Sequence, residues 1–284
     1  MTDSIKHYLF TRFNVASPGK EQPIRLKPGW LDKRFDLFRD LCLPGVKSQT
    51  VQSFEWIVLF DEETPQDYKN LIGALQTLYP FTAEYTKAYE MDKMAPEIIH
   101  RKGDKKEGWL LTTRLDSDDV LAVDFMERVY EAIKPLKRQT VNFANGAILG
   151  LSEKATGLYT TRDLSNPFGS LLEPYTDDIV TIWEKQHIYY KDIAPVMQIE
   201  GVPGWLQVVH GVNATNRIKG LRIPLSRYAD VFPYIKTLSA VQSEKKQDIT
   251  LENFTLIPLR YLYEVARASA KAIVFFFRGL LKKI

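Results

Sequence analysis

Cysteine is nearly absent from this sequence. With Cys42 alone among 284 residues, no internal disulfide can form, so a disulfide-stapled secreted scaffold is excluded and a reducing compartment is expected. Long apolar runs are missing as well. The longest, Ala272 to Phe277, has six residues, far below the roughly 20 that a membrane-spanning helix needs. The first ten residues carry Asp3 and Lys6 and no apolar core, so no signal peptide is expected in them. Neither sign of charge dominates: 38 Lys+Arg oppose 35 Asp+Glu, a formal net charge of +3.

What is present is enough apolar material for a large core. The chain is 45% hydrophobic and 12% aromatic, which excludes collagen-like, low-complexity and broadly disordered classes. The charge is unevenly placed. From Arg260 onward six bases (Arg260, Arg267, Lys271, Arg278, Lys282, Lys283) face one acid, Glu264, a net of +5 that leaves −2 for residues 1–259. A mildly acidic body argues against nucleic acid as a partner.

The first half alternates strand-like and helix-like segments. Strands are expected at His7–Phe13, Phe54–Phe60, Phe81–Lys87 and Gly108–Leu115. Helical spacing runs through Trp30–Leu43, Gln66–Tyr79 and Leu121–Ile133. Such βα repetition predicts a mostly parallel sheet with its ligand site beyond the carboxyl ends of the strands. The second half is less regular, with short strands expected at Thr140–Leu151, Gly157–Arg162, His187–Tyr190 and Leu206–His210. The polar stretch Gln242–Asp248 reads as a linker, and Leu251–Ile284 as largely helical. The expected division is therefore a domain over 1–241, with halves 1–135 and 136–241, followed by linker and terminal helix over 242–284.

Leu110 to Asp119 (LLTTRLDSDD) is the sharpest local feature. A buried strand delivers an Asp-x-Asp pair into the loop beyond its end. Two carboxylates at this spacing can hold a hard divalent cation together with phosphate oxygens, and a cation there makes a diphosphate a better leaving group. The same acids could instead cap the helix that follows, through Asp118 or Asp119. Both roles are open at the level of sequence.

Four segments carry a resemblance: TRFN (Thr11–Asn14), WIVLFDEETP (Trp56–Pro65), TTRLDSDD (Thr112–Asp119) and NPFGSLLEP (Asn166–Pro174). In this order they resemble the putative bacterial rhamnosyltransferase family, glycosyltransferases of the GT-A fold, over residues 5–220. The resemblance implies an α/β, Rossmann-like, mixed but mostly parallel sheet flanked by helices. It implies a nucleoside-diphosphate sugar donor, with rhamnose as the sugar, and a cell-surface saccharide or lipid-linked glycan as acceptor. Mn²⁺ or Mg²⁺ would be held by Asp116 and Asp118, with Asp118 the direct ligand and Asp116 nearer the ribose or a metal-bound water. Asp61 matches the position that meets the base, or else shapes the turn before Thr64-Pro65. Thr11 and Arg12 would open the nucleotide pocket, and Arg114 would pair with Asp116 or the diphosphate. His210, ending the run Leu206–Val209, would be the third metal ligand, since imidazole suits such a site. An inverting reaction also needs a carboxylate base, for which Glu173 and Asp163 rank first, ahead of Asp177 and Asp178. A nucleotide-sugar hydrolase using the same metal, and a non-catalytic membrane-docked module, are the rival readings.

The tail has its own pattern. Arg260, Arg267, Lys271, Arg278 and Lys282 fall within about 60° of one another on a helix. Leu262, Val265, Ile273, Phe276, Phe277, Leu280 and Ile284 gather opposite. A basic stripe opposing an aromatic-rich face predicts a helix in an anionic membrane interface, hence a cytoplasmic protein peripheral to the inner face of the plasma membrane. A helix packed on its own domain is the alternative.

Overall fold

The computed structural model describes residues 4–16, 22–87, 90–152, 155–210, 217–237, 246–263, 265–267 and 269. The chain begins with β1 (Ile5–Arg12), α1 (Gln22–Arg25) and α2 (Trp30–Leu37), which passes through a π-helical turn at Phe38–Cys42 into α3 (Leu43–Lys47). β2 (Glu55–Asp61), α4 (Gln66–Leu78), β3 (Thr82–Thr86), α5 (Met91–Lys102) and β4 (Trp109–Asp116) complete the βα series. There follow β5 (Val120–Leu121), α6 (Phe125–Ala132), β6 (Gln139–Phe143), β7 (Asn145–Ser152), β8 (Ala155–Arg162) and β9 (Ser170–Pro174). A 3₁₀ helix at His187–Asp192 leads to β10 (Val196–Ile199), β11 (Trp205–Val209), β12 (Leu221–Ile223) and finally α7 (Lys246–Phe254). Helix resumes over residues 256–263.

Two sheets result. A seven-stranded sheet runs β10-β6-β9-β4-β1-β2-β3 and is parallel except for β9, which is antiparallel to both β4 and β6. This is the mixed, mostly parallel α/β architecture expected. Its central strands are buried on both faces, as at Tyr8, Leu9 and Phe10, at Ile57 to Phe60, and at Leu110 and Leu111. Only a sheet with helices on both sides can bury such continuous apolar runs. A second sheet, β12-β8-β7-β11-β5, is antiparallel apart from the β7–β11 pair. The halves 1–135 and 136–241 share both sheets, because β6, β9 and β10 extend the sheet begun by β1–β4, and β5 joins the second sheet.

Several elements depart from the sequence reading. His187–Tyr190 forms a 3₁₀ turn rather than a strand; of its aromatic residues only Tyr190 is buried, so the alternation that suggested a strand has no sheet to serve. Thr140–Leu151 is two strands, because the chain leaves one sheet at Ala144 and enters the other. The helix expected from Leu121 starts at Phe125, since Val120–Leu121 pairs with β11. α5 escaped notice because Pro96 lies inside it; Met91, Ala95, Ile98 and Ile99 nevertheless bury one helical face.

The segment after residue 245 lies on the second sheet. Glu252 is buried and accepts from Tyr159, Arg222 and Arg260 at 2.7–2.8 Å. Asn253 brackets the Arg222 backbone from both sides. Arg260 therefore turns inward, not onto an outward basic stripe. Beside exposed Lys246, Gln247, Asp248, Thr250 and Thr255, several outward positions are apolar: Leu251 66% exposed, Phe254 81%, Leu259 62%, Tyr261 70% and Leu262 63%. Lys271, Arg278, Lys282, Ile273, Phe276, Phe277, Leu280 and Ile284 lie outside the described residues.

Candidate active site

The carboxyl ends of β1, β2 and β4 converge on one edge of the large sheet. Parallel pairing sets Arg12 opposite Asp116, and the Arg12 charge joins that of Arg114 in holding the Asp116 carboxyl below its ordinary range, against the opposing effect of burial. Arg114, in turn, lies 3.4 Å from Asp116 and stacks over the Trp183 ring at 4.3 Å. Around the Asp116–Asp119 loop a third arginine comes from α2.

That third arginine is Arg34, which no sequence pattern singles out. Its Nη1 lies 2.6 Å from Asp118 Oδ2, and its guanidinium is steadied over Trp30. His210 Nε2 meets the same oxygen at 3.0 Å. Burial works to raise the Asp118 pKa, but the Arg34 charge and the His210 contact outweigh it and hold the acid ionised. Lys33, the neighbour of Arg34, bonds the His210 carbonyl at 2.9 Å, so α2 grips both partners. The signal was present in the sequence only as two adjacent bases in an amphipathic helix, which ordinarily face water.

Asp119 does a different job. Its Oδ1 accepts the Val208 N–H at 2.8 Å, tying the acidic loop to β11. Burial and the charges of Asp118 and Asp116 push its pKa well up. Neither Asp118 nor Asp119 caps a helix: α6 starts after Asp124. The capping alternative is thereby set aside.

Other expected positions fall into place unequally. Asp61 is buried, pairs with Arg25 at 2.5 Å and accepts the Glu63 N–H at 2.9 Å, which makes it the turn-former that Thr64-Pro65 suggested. Thr11 is buried and accepts from Trp56 Nε1 at 2.9 Å; its hydroxyl serves the core. Glu173 is corrected outright as an acceptor-facing base. It is fully buried, and its carboxylate takes the N–H groups of Val180 and Thr181 and the Arg138 guanidinium. Burial raises its pKa. This anchor holds the loop that carries Trp183, with Thr181 at a left-handed φ of 65°, a strained setting for a β-branched residue. Asp177 pairs with Lys106, which precedes β4, so it belongs to the amino end of that strand. Asp163 is half-buried at the end of β8 and shapes its own turn by accepting the Ser165 N–H at 2.9 Å.

The residue types suit a divalent cation in kind, since Asp116, Asp118 and His210 offer carboxylate oxygen and imidazole nitrogen. Two of the three, Asp118 and His210, already meet. Among the described residues no three such side chains converge in a ligand arrangement, because Asp116 turns to Arg114, and Arg34 occupies Asp118.

A carboxylate-bearing strand end beside Arg12, Arg34 and Arg114, on a mixed and mostly parallel α/β sheet, is the arrangement that the sequence resemblance leads one to expect. The family model described as putative rhamnosyl transferase matches residues 6–222, and the chain belongs to that family. Comparison with the curated proteins returns no match. Among solved structures, Staphylococcus aureus TarS is similar over 72% of this chain and 37% of its own, at 9% identity and a TM-score of 0.41. Its residues 1–349 in complex with UDP give 10% identity and a TM-score of 0.40, over 72% of this chain and 60% of that one. A putative nucleotide-diphospho-sugar transferase from Desulfovibrio desulfuricans G20 is similar over 89% of this chain and 97% of its own, at 11% identity and a TM-score of 0.34.

Proposed function

We propose that this glycosyltransferase moves a sugar, rhamnose by its family, from a nucleoside-diphosphate donor to a saccharide or lipid-linked glycan acceptor. The single observation that carries the reading is the convergence of Arg12, Arg34 and Arg114 on the Asp116–Asp119 loop at the carboxyl edge of the sheet. Fixed positive charge in a buried setting stabilises a departing diphosphate, and does so without reorganising during the reaction. Asp118 and His210, joined by Asp116, would hold Mn²⁺ or Mg²⁺. When bound, that cation supplies further positive charge against the diphosphate. Among the protein's own groups, Arg12, Arg34 and Arg114 would position the diphosphate of the donor, with Trp183 steadying Arg114.

The donor is tested by calorimetry with UDP-, dTDP- and GDP-sugars, with and without Mn²⁺. Saturable binding of one nucleotide class, strengthened by Mn²⁺ and lost to EDTA, is expected. Equal binding in excess EDTA would remove the metal from the reading while leaving glycosyl transfer intact.

Peripheral membrane association belongs to the same proposal. Its support is the exposed apolar side chains of Leu251, Phe254, Leu259, Tyr261 and Leu262, followed in sequence by Lys271, Arg278, Lys282 and Lys283. No helix among the described residues is long and apolar enough to cross a membrane. Co-sedimentation with phosphatidylglycerol vesicles, lost on Phe254→Ser with Leu262→Ser, is the expected result.

A further inference from the structure

We propose that His187 is the base that takes the proton of the acceptor hydroxyl, a role that rests on the glycosyl-transfer reading above and on inversion at the anomeric carbon. His187 is no carboxylate and lies in a 3₁₀ helix, not in the strand that its sequence suggests.

The tautomer comes first. Nδ1 of His187 hydrogen-bonds to the Ser165 carbonyl oxygen. A carbonyl can only accept, so Nδ1 carries the proton and the lone pair of the neutral ring lies on Nε2. This is the state a base requires.

The placement comes next. His187 opens the 3₁₀ helix that ends at Asp192, and that helix is seated on the turn leading into β9, the strand that pairs with β4. Tyr190 donates to the Pro167 carbonyl at 3.2 Å. Its ring lies so close to Gly169 that a Cβ there would come within 2.4 Å of it, so a side chain at 169 would displace the ring. The Gly169 carbonyl accepts the Arg114 N–H at 3.0 Å. A continuous set of contacts thus fixes the imidazole relative to β4, as a base must be fixed.

The surroundings complete the case. The charged groups acting on His187 are Arg114 and Asp116, from β4, and Asp163, from the turn after β8. The ring is half-buried, and burial, helped by Arg114, lowers its pKa from the ordinary histidine value, so it is uncharged at neutral pH. Of the carboxylates that compete for the role, Glu173 is committed to the Val180–Thr181 turn and Arg138, Asp177 to Lys106, and Asp163 accepts the Ser165 N–H in its own turn.

In the reaction, Nε2 takes the proton from the acceptor O–H. The oxygen electron pair forms the new bond to the anomeric carbon, and the bond from that carbon to the diphosphate oxygen breaks. Its electron pair leaves with the nucleoside diphosphate. Charge and atoms balance, with the proton held on His187 until it passes to solvent.

The test uses the full chain with His187→Ala and His187→Gln. Thermal unfolding, calorimetric binding of UDP, dTDP and GDP, and nucleoside diphosphate release from the matching sugars with octyl glycosides as acceptors are measured together. Both variants are expected to unfold and bind nucleotide like the parent while turnover falls about 10²- to 10⁴-fold. Gln keeps an N–H for Ser165 but cannot take a proton, so it separates basicity from positioning. Added imidazole is expected to restore turnover to His187→Ala and not to Asp118→Asn. Turnover within threefold of the parent, or a loss that imidazole does not relieve, overturns the role of His187. A parent chain that binds none of the three nucleotides overturns the glycosyl-transfer reading instead, and the base role with it.

Discussion

The two ends of the seven-stranded sheet carry similar residues in opposite circumstances. At the amino end Lys6 pairs with Glu55 and Asp104, and Lys102 with Glu55, each side chain a quarter or more exposed. At the carboxyl end Arg25–Asp61, Arg34–Asp118 and Asp118–His210 pair at 2.5–3.0 Å, with both carboxylates only 6% exposed. Exposed pairs cost little to form and contribute little. Buried pairs must overcome a desolvation penalty of several kcal/mol per ion, and apolar residues would fill the same space at no such cost. Charge kept in the costly place points to a use other than stability. The charged cluster at the amino end needs no such use.

The largest expected effect breaks the carboxyl-end cluster. Asp118→Asn keeps the shape but removes the charge that Arg34 and His210 share. Nucleoside diphosphate release is expected to fall about 10²- to 10³-fold, and unfolding to become easier by about 3 kcal/mol because Arg34 stays buried without its counter-charge. Activity within twofold of the parent would mean that the acidic loop is structural.

A second test sits between the two ends. His7 on β1 is buried, bonded to Thr113 at 2.9 Å and Tyr130 at 3.0 Å, and burial pushes its pKa down to about 3. The unfolded chain, with its histidine near 6.5, therefore binds the proton first. This contribution to stability is whole above pH 6.5 and is lost as pH falls from there toward 3, by up to about 1.4 kcal/mol per pH unit. Urea titrations at pH 7, 6, 5 and 4 are expected to show that slope in the parent and a shallower one in His7→Gln. An unchanged slope would place the acid sensitivity at the carboxyl-end cluster instead.

How much of this was legible in advance follows from where each signal resides. β1, β2 and β4 announce themselves because strands buried on both faces need unbroken apolar runs, and the Asp116–Asp119 loop announces itself because it ends one of them. β9 did not, since a five-residue strand clamped between β4 and β6 takes its conformation from its neighbours rather than from its own pattern. Arg34 and Glu173 illustrate the same limit in the site. A base on an amphipathic helix and an acid near a Pro-Gly loop both look solvent-facing, and only tertiary packing turns one onto Asp118 and the other under the Val180–Thr181 turn. Of the acid motif's two local readings, capping failed for a reason no spacing reveals: Val120–Leu121 pairs with β11 and postpones the helix.

The smallest expected effect sharpens the comparison from its other side. Glu55→Gln removes the acid that both Lys6 and Lys102 approach, and the surviving Asp104 still faces Lys6. Burial opposes ionisation of Glu55, but the two lysines win and hold its pKa below the ordinary value. Folded-state stabilisation of the charged form is therefore present above its unfolded pKa and lost as pH falls through the lower folded one. The Glu55 side chain is 40% exposed, so water screens most of that gain, and the expected loss at neutral pH is no more than about 1 kcal/mol. Nucleoside diphosphate release is expected to stay within twofold of the parent, because the substitution lies at the start of β2 while Asp61, at the end of that strand, keeps its partner Arg25. A large loss of turnover would show that the two ends communicate through the strands. Charge at the amino end would then have a use of its own.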